Sequence, residues 1–386
     1  MLLYTKVARP WWLNRAGNDL ETAHDRAFAV LDRLERYPGM LRLIETTRCR
    51  SLGQTIGGVY FPNPVGPGAG LNKNGLGMRS LGALCGFGFL EIGSVLPLPQ
   101  PGNPRPRLVE LPLDRALINW MGFDSDGMEA LYPRLLAYHR THPIPVLLNM
   151  SKNLSTKVED ATDDILRVFN RLHALVDGFV INPSSPNTPG LRRLQGRELL
   201  THVVATIRGR IAEIARLTLT PEKPCFVKIS PDLTLSELDD IIEVALEFRV
   251  TGLVVTNTTI RREGLRTLSP PTVGGLSGKP LLHEAFRMVR HVNAETGGRL
   301  VVIGCGGISS AAEAYTMVRG GCSLVEVLTS LVRENPLLPH HIRRGLCTAA
   351  TRAVSLIDSG RSRHWPRSRS RSSKVCSTSR SVFDRQ

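Results

Sequence analysis

No two of the seven cysteines lie at CxxC spacing; Cys49, Cys85, Cys225, Cys305, Cys322, Cys347 and Cys376 are scattered, and none pairs with histidine in a metal-ligand pattern. Neither a disulfide framework nor a metal site is expected, and a reducing cytoplasm is the expected compartment. No stretch approaches the roughly 18 consecutive apolar residues of a membrane span. The opening MLLYTKVARPWWLNRAG also lacks the apolar core and small-residue cleavage site of a signal peptide. The chain is therefore expected to be neither secreted nor membrane-spanning.

What is present is a 386-residue chain, 42% hydrophobic, which can bury one large core or two modest ones. Its 35 glycines and 26 prolines fit many strand-to-helix turns. The net charge of +15 is uneven: from Ser359 onward, SGRSRHWPRSRSRSSKVCSTSRSVFDRQ holds eight Arg or Lys and one acidic residue, seven of the fifteen excess charges. Such a Ser/Arg-rich segment cannot bury enough apolar surface to offset ordering entropy, so 359–386 reads as a disordered basic tail with no specific nucleic-acid partner. At the other end, Leu2, Leu3, Tyr4, Val7, Trp11, Trp12 and Leu13 stand beside Lys6, Arg9 and Arg15. That mixture suits either a headgroup interface or a helix packed on the protein's own body.

Between the ends one phrase repeats: a short aliphatic run, a loop, a helix-like segment. FLEIGSVL, PVLLNMS, GFVINPSS, CFVKIS, GLVVTNT, LVVIGCGG and SLVEVLTS are the predicted strands. Near-continuous apolar strands alternating with amphipathic helices predict an α/β fold, a closed (β/α)8 barrel over 51–350, with a doubly wound open sheet as the alternative. Polar or glycine residues recur at the strand ends: Asn149, Asn182, Lys228, Thr256 with Asn257, and Gly306 with Gly307. In a barrel these ends converge, so they would line one pocket. Its content is rich in amides and lysine and poor in carboxylates and histidine, which argues against hydrolysis by a carboxylate pair or a Ser-His-Asp triad. It suits a planar, anionic, polyfunctional molecule, because Asn donates and accepts in one plane while Lys73 and Lys228 balance negative charge.

The stretches NPVGPGAGLNKNG, FLEIGSVLPLPQPGNPRPRL, LINWMGF, NPSSPNTPG, VKISPDL, VVTNTT, GGLSGKPL and VVIGCGGI together resemble the dihydroorotate dehydrogenase family. The resemblance runs from about His24 to about Leu346. It implies an FMN-dependent (β/α)8 barrel that oxidises dihydroorotate to orotate in pyrimidine biosynthesis. A serine in the active loop and an N-terminal extension over 1–50 resemble the quinone-reducing class, which implies a helical hood, a peripheral position on the cytoplasmic side of the cell membrane, and a monomer.

Carried over by position, the resemblance makes Ser185 the base that removes a proton from substrate C5 while hydride leaves C6. A serine hydroxyl has too high a pKa to act alone, so it needs a proton relay and a dry site. Pro183, Pro186 and Pro189 would hold its oxygen in place, and Asn182 and Asn187 would grip the pyrimidine ring. Other substrate contacts fall on Lys73, Asn119, Trp120, Met121, Gly122, Phe123, Asn257 and Thr258. FMN contacts fall on Ala69, Gly70, Lys73, Ser94, Asn149, Asn182, Lys228, Thr256, Gly278 and Gly307, with the phosphate end reaching Leu328 and Thr329. His24, Glu110 and Leu328 fall on the quinone tunnel.

Several residues depart from the family pattern: Asn72 for aspartate, Pro183 for an aliphatic residue, Trp120 for a basic residue and Asp124 for asparagine. Glu110 replaces an arginine facing the quinone, and Leu328 a tyrosine between flavin and quinone. The alternatives are a related FMN barrel oxidoreductase with another acceptor or substrate, and an inactive flavin-binding scaffold.

Overall fold

Alternating apolar runs and amphipathic segments build a parallel barrel in the computed structural model, which describes residues 6, 8–44, 51–141 and 144–358. A short hairpin of β1 (Gln54–Ile56) and β2 (Val59–Phe61) precedes eight parallel strands. These are β3 (Val65–Pro67), β4 (Leu90–Val95), β7 (Val146–Met150), β8 (Gly178–Ile181), β9 (Cys225–Ile229), β10 (Gly252–Val255), β12 (Val301–Cys305) and β13 (Cys322–Val327). They hydrogen-bond in the order β3, β13, β12, β10, β9, β8, β7, β4. The ring closes where Gly88 N donates to Val65 O and Gly70 N donates to Gly93 O, both at 2.8 Å. Seven strands match the runs predicted from sequence. The eighth, β3, is only Val-Gly-Pro, too short to show a pattern; Gly66 is required there because a Cβ would lie 2.3 Å from the Phe89 ring.

Side chains alternate across a strand, and here the alternation sets two inward layers. Phe89, Leu147, Val180, Phe226, Val254, Ile303 and Leu324 form a dry cluster inside the barrel, closed from below by Ile56 and Phe61 of the hairpin. Two residues further along the same strands stand Glu91, Asn149, Asn182, Lys228, Thr256, Cys305 and Glu326. The floor is therefore apolar and the next layer polar. Outward strand residues pack against the covering helices in a second, larger core.

The extension comprises α1 (Arg9–Arg15), α2 (Leu20–Leu34) and α3 (Pro38–Ile44). Asp19 caps α2 by accepting from the Thr22 amide at 2.9 Å. After it come α4 (Met78–Cys85), α5 (Gly127–His139), α6 (Ala161–Leu172), α7 (Arg197–Thr218), α8 (Leu235–Glu247), α9 (Leu282–Thr296), α10 (Ala311–Gly320), α11 (Thr329–Arg333) and α12 (Leu338–Asp358). A three-stranded antiparallel sheet of β5 (Leu108–Leu111), β6 (Ala116–Asn119) and β11 (Gly275–Gly278) completes the fold. Leu2, Leu3, Tyr4 and Val7, residues 45–50 and the predicted tail 359–386 lie outside the described residues. Among the described residues no helix is long and apolar enough to cross a membrane. Cys347 is disulfide-bonded, contrary to the expectation from cysteine spacing, whereas Cys85, Cys225, Cys305 and Cys322 are free.

Candidate active site

The strand-end residues converge because the ladder continues past the strands: Asn182 N donates to Met150 O at 3.0 Å, and Asn257 N to Ile229 O at 2.8 Å. They open on a cavity of about 430 Å³ at the carboxyl ends of the barrel strands. Asn182 Nδ2 donates to Ser94 Oγ at 2.9 Å and to Asn149 Oδ1 at 3.1 Å, and Asn257 Nδ2 donates to Ser184 Oγ at 3.0 Å. On the facing wall Asn187 Nδ2 donates to Asn119 Oδ1 at 3.0 Å. Ser185 borders the cavity, and its Oγ accepts from the Asn187 amide at 3.2 Å.

The loop bearing Ser185 is held from behind by a residue that sequence reading missed. Arg192 donates to Ser184 O at 3.2 Å and to Thr258 O at 3.0 Å while Asp232 accepts from it at 2.8 Å. No local pattern marks this arginine, since two of its partners, Asp232 and Thr258, come from other loops.

Most predicted site residues line the cavity. They include Lys73, Asn119, Met121, Gly122, Phe123 and Asn182. Ala69, Gly70, Ser94, Lys228, Thr256, Asn257 and Thr258 join them, with Gly278, Gly307, Leu328 and Thr329 toward the far end. Asn149 lies one hydrogen bond below the wall, fully buried. Trp120 does not border the cavity: Leu117 and Asn119 do, while Ile118 and Trp120 fall on the other face and pack with Leu111 and Leu276, as alternation requires.

The departures acquire partners. Asp124 accepts from Lys73 Nζ at 2.7 and 2.8 Å and lies 3.4 Å from Arg107, so the added carboxylate is neutralised in place. Asn72 closes a local turn, donating to Leu76 O at 2.8 Å and accepting from Leu76 N at 3.1 Å. Glu110, expected to face the quinone, does not border the cavity and bridges Arg9 (2.6 Å) and Arg333 (2.8 Å). Its charge is consumed in tying α1 to the barrel.

The cavity continues to α2, where Leu20, His24 and Phe28 border it. His24 Nε2 lies 2.7 Å from Leu71 O and its ring centroid is 4.5 Å from that of Phe28. A buried ion pair pins this helix down: Arg107 grips Glu21 at 2.6 Å, and both side chains are almost wholly buried.

Sequence reading also missed two carboxylates beneath the cavity. Lys228 Nζ lies 3.3 Å from Glu91 Oε2 and 3.1 Å from Glu326 Oε2. Burial would push Lys228 down, but Glu326 and Glu91 more than offset it and hold the ammonium above its ordinary range. Burial likewise opposes ionisation of Glu91, yet Lys228, Glu326 and Asn149 outweigh it and lower its pKa. Glu326 goes the other way: burial and the Glu91 charge push it well above the usual carboxylate range. Both glutamates sit inside apolar strand runs, LEIGSV and CSLVEV, where only the inward alternation could have marked them.

Comparison with known proteins gives a consistent result. The family model for Dihydroorotate dehydrogenase matches residues 51–349. A Dihydroorotate dehydrogenase (quinone) of Chloroflexus aurantiacus is 41% identical over 353 residues, covering 90% of this chain and 97% of that protein. One from a Synechococcus strain is 41% identical over 367 residues, covering 92% and 95%. The crystal structure of DHODH in complex with ferulenol from Eimeria tenella superposes with a TM-score of 0.80 at 35% identity, covering 87% of this chain and 92% of that one.

Proposed function

The chain belongs to the dihydroorotate dehydrogenase family, and from that premise we propose that it is a quinone-dependent dihydroorotate dehydrogenase acting in pyrimidine biosynthesis with FMN as its flavin. The observation that carries this reading is one cavity bordered both by the amide cluster around Ser185 and by α2, where Leu20 and Phe28 join Leu71, Leu108, Leu117 and Val332 in its lining. One compartment thus offers a polar end for dihydroorotate and an apolar end for a quinone.

The residues fit a flavin. Asn187 Oδ1, Thr258 Oγ1 and Glu326 Oε1 are buried atoms without a partner in the protein, and all three residues border the cavity. Gly70, at φ +94°, has nothing within 4 Å of where a Cβ would stand, so its backbone leaves the wall open. When bound, the flavin supplies a two-electron acceptor for the hydride that leaves dihydroorotate. Ala69, Gly70, Lys228 and Thr256 would hold its ring system, and Gly278, Gly307 and Thr329 its phosphate end. Asn119, Asn187 and Asn257 would orient the pyrimidine by planar hydrogen bonds, and Lys73 would meet its carboxylate.

Ser185 would take the proton from C5 while its own hydroxyl proton passes to a relay, as a base of so high a pKa requires. The Asn187 N–H that points at Ser185 Oγ favours that oxygen when it carries negative charge. Enclosure serves the same step, since Ser185 is only 7% exposed and a dry site strengthens each such dipole.

The extension completes the second half-reaction in this reading. Trp11, Met40 and Leu43 are exposed on its helices and Tyr37 between two of them, apolar groups suited to sitting in a membrane interface beside the basic residues of α1. We therefore extend the proposal to a monomer held peripherally on the membrane. The test is anaerobic: dihydroorotate should bleach the flavin of the purified yellow protein, and a long-chain quinone should restore it faster than fumarate or NAD. Deleting residues 1–50 should spare bleaching and abolish reoxidation by the quinone. Reoxidation at the parent rate after that deletion would remove the extension from the quinone site.

Glu110 sharpens the point. Because its carboxylate joins Arg9 to Arg333, Glu110→Arg would gather three cations where two now share one anion. Slower quinone reoxidation with unchanged bleaching is the expected stopped-flow result; faster reoxidation would mean that Glu110 opposes the acceptor directly.

A further inference from the structure

Beneath the cavity, two carboxylates share one ammonium in a site closed to solvent: Glu91 is 0%, Glu326 1% and Lys228 3% exposed. Two ionised carboxylates cannot both be balanced by a single lysine there, and an unbalanced buried charge is costly enough that a proton is taken up instead. The hydrogen bonds decide which carboxyl carries it. Glu91 Oε1 accepts from Asn149 Nδ2 at 2.5 Å, and both its oxygens lie within 3.4 Å of Lys228 Nζ. Glu326 Oε2 contacts Lys228, its carboxyl also lies within hydrogen-bond reach of Glu91 and Cys305, and no donor faces Oε1. Glu326, unlike Glu91, also borders the cavity.

We propose that Glu326 is a neutral carboxylic acid whose unpaired oxygen is a hydrogen-bond donor to the bound flavin, so that it acts with Lys228 in holding the cofactor and setting its reduction potential. This rests on the reading of the cavity as the flavin site. A neutral acid there adds a donor next to the lysine charge without adding a negative charge that would oppose electron uptake. The titratable groups facing Glu326 are Lys228 on β9, Glu91 on β4 and Cys305 on β12. Burial foremost pushes the Cys305 thiol up, so it remains neutral beside Glu326.

The protonation has a thermodynamic sign. An acid with a raised native pKa contributes stability that is fully present below the ordinary carboxylate range and is lost as pH rises toward the native value. Glu326→Gln has no proton to lose, so its melting temperature should gain on the parent's as pH is raised from 5 to 9.

The test uses the full-length, flavin-loaded protein. Infrared spectra should show a protonated-carboxyl carbonyl band in the parent at pH 7 that Glu326→Gln removes. In spectroelectrochemical titration Glu326→Gln, which keeps a neutral donor, should keep the parent midpoint. Glu326→Leu should lower the reduced-to-oxidised ratio at a given potential about tenfold, or about 30 mV for a two-electron couple. Absence of the band, or a midpoint that rises in Glu326→Gln as loss of a negative charge requires, would show Glu326 to be an ordinary carboxylate. A parent-like midpoint in Glu326→Leu would remove the contact with flavin. Protein that binds no flavin would overturn the underlying reading instead, while the infrared band would still test the protonation.

Discussion

Ser185→Ala is expected to retain its flavin and to reduce it with dihydroorotate on the order of 10² times more slowly than the parent, or slower still, the usual weight of a positioned general base. Ser185 Oγ takes part in the hydrogen bonding around the cavity only as acceptor from the Asn187 amide, so removing it costs little in folding. The neighbouring Ser184 carries the structural burden instead: its hydroxyl donates to Asn182 Oδ1 at 3.0 Å and accepts from Asn257. The two adjacent serines thus separate support from chemistry. Anaerobic stopped-flow measurement of flavin bleaching checks this, and a variant that bleaches at the parent rate would take Ser185 out of the mechanism.

Lys228→Met should destabilise the fold by about 3–5 kcal/mol, the cost typical of removing one partner from a buried ion pair. The variant leaves Glu91 in the barrel without its cation, and the apolar layer of Phe226 and Leu147 directly below offers no dipole in exchange. The effect should depend on pH with a definite sign. Glu91 has a lowered native pKa, so its contribution in the parent is present above the ordinary carboxylate range and is lost as pH falls through the native value. The stability gap between parent and variant should therefore narrow toward acid. Urea unfolding at pH 4 and pH 8 measures both quantities, and equal gaps at the two values would mean that Glu91 is not the ionised partner.

Particular residues mark how far the linear chain could be read. Asn149, Asn182, Lys228 and Thr256 stand out because each follows an apolar run, and the barrel then brings them to one level. Glu91 and Glu326 occupy the same level but were hidden, since a single glutamate inside an aliphatic strand looks like an outward, solvated position until the inward alternation is known. Trp120 falls on the opposite side of that alternation from Asn119. Glu110 shows the limit most clearly: its partners Arg9 and Arg333 lie 101 and 223 positions away, so neither its pairing nor its orientation leaves a local trace.

By itself, then, the sequence determined the strand-and-helix alternation, the polar strand ends and the proline-stiffened loop bearing Ser185, because these depend on residues within a few positions of one another. Only the tertiary structure decided which carboxylate meets which cation, that Lys228 is shared by two glutamates, and that α2 closes the same cavity the barrel opens. Those are Coulombic and packing relations that fall off with distance through space, and the closed barrel makes neighbours of residues that the chain keeps far apart.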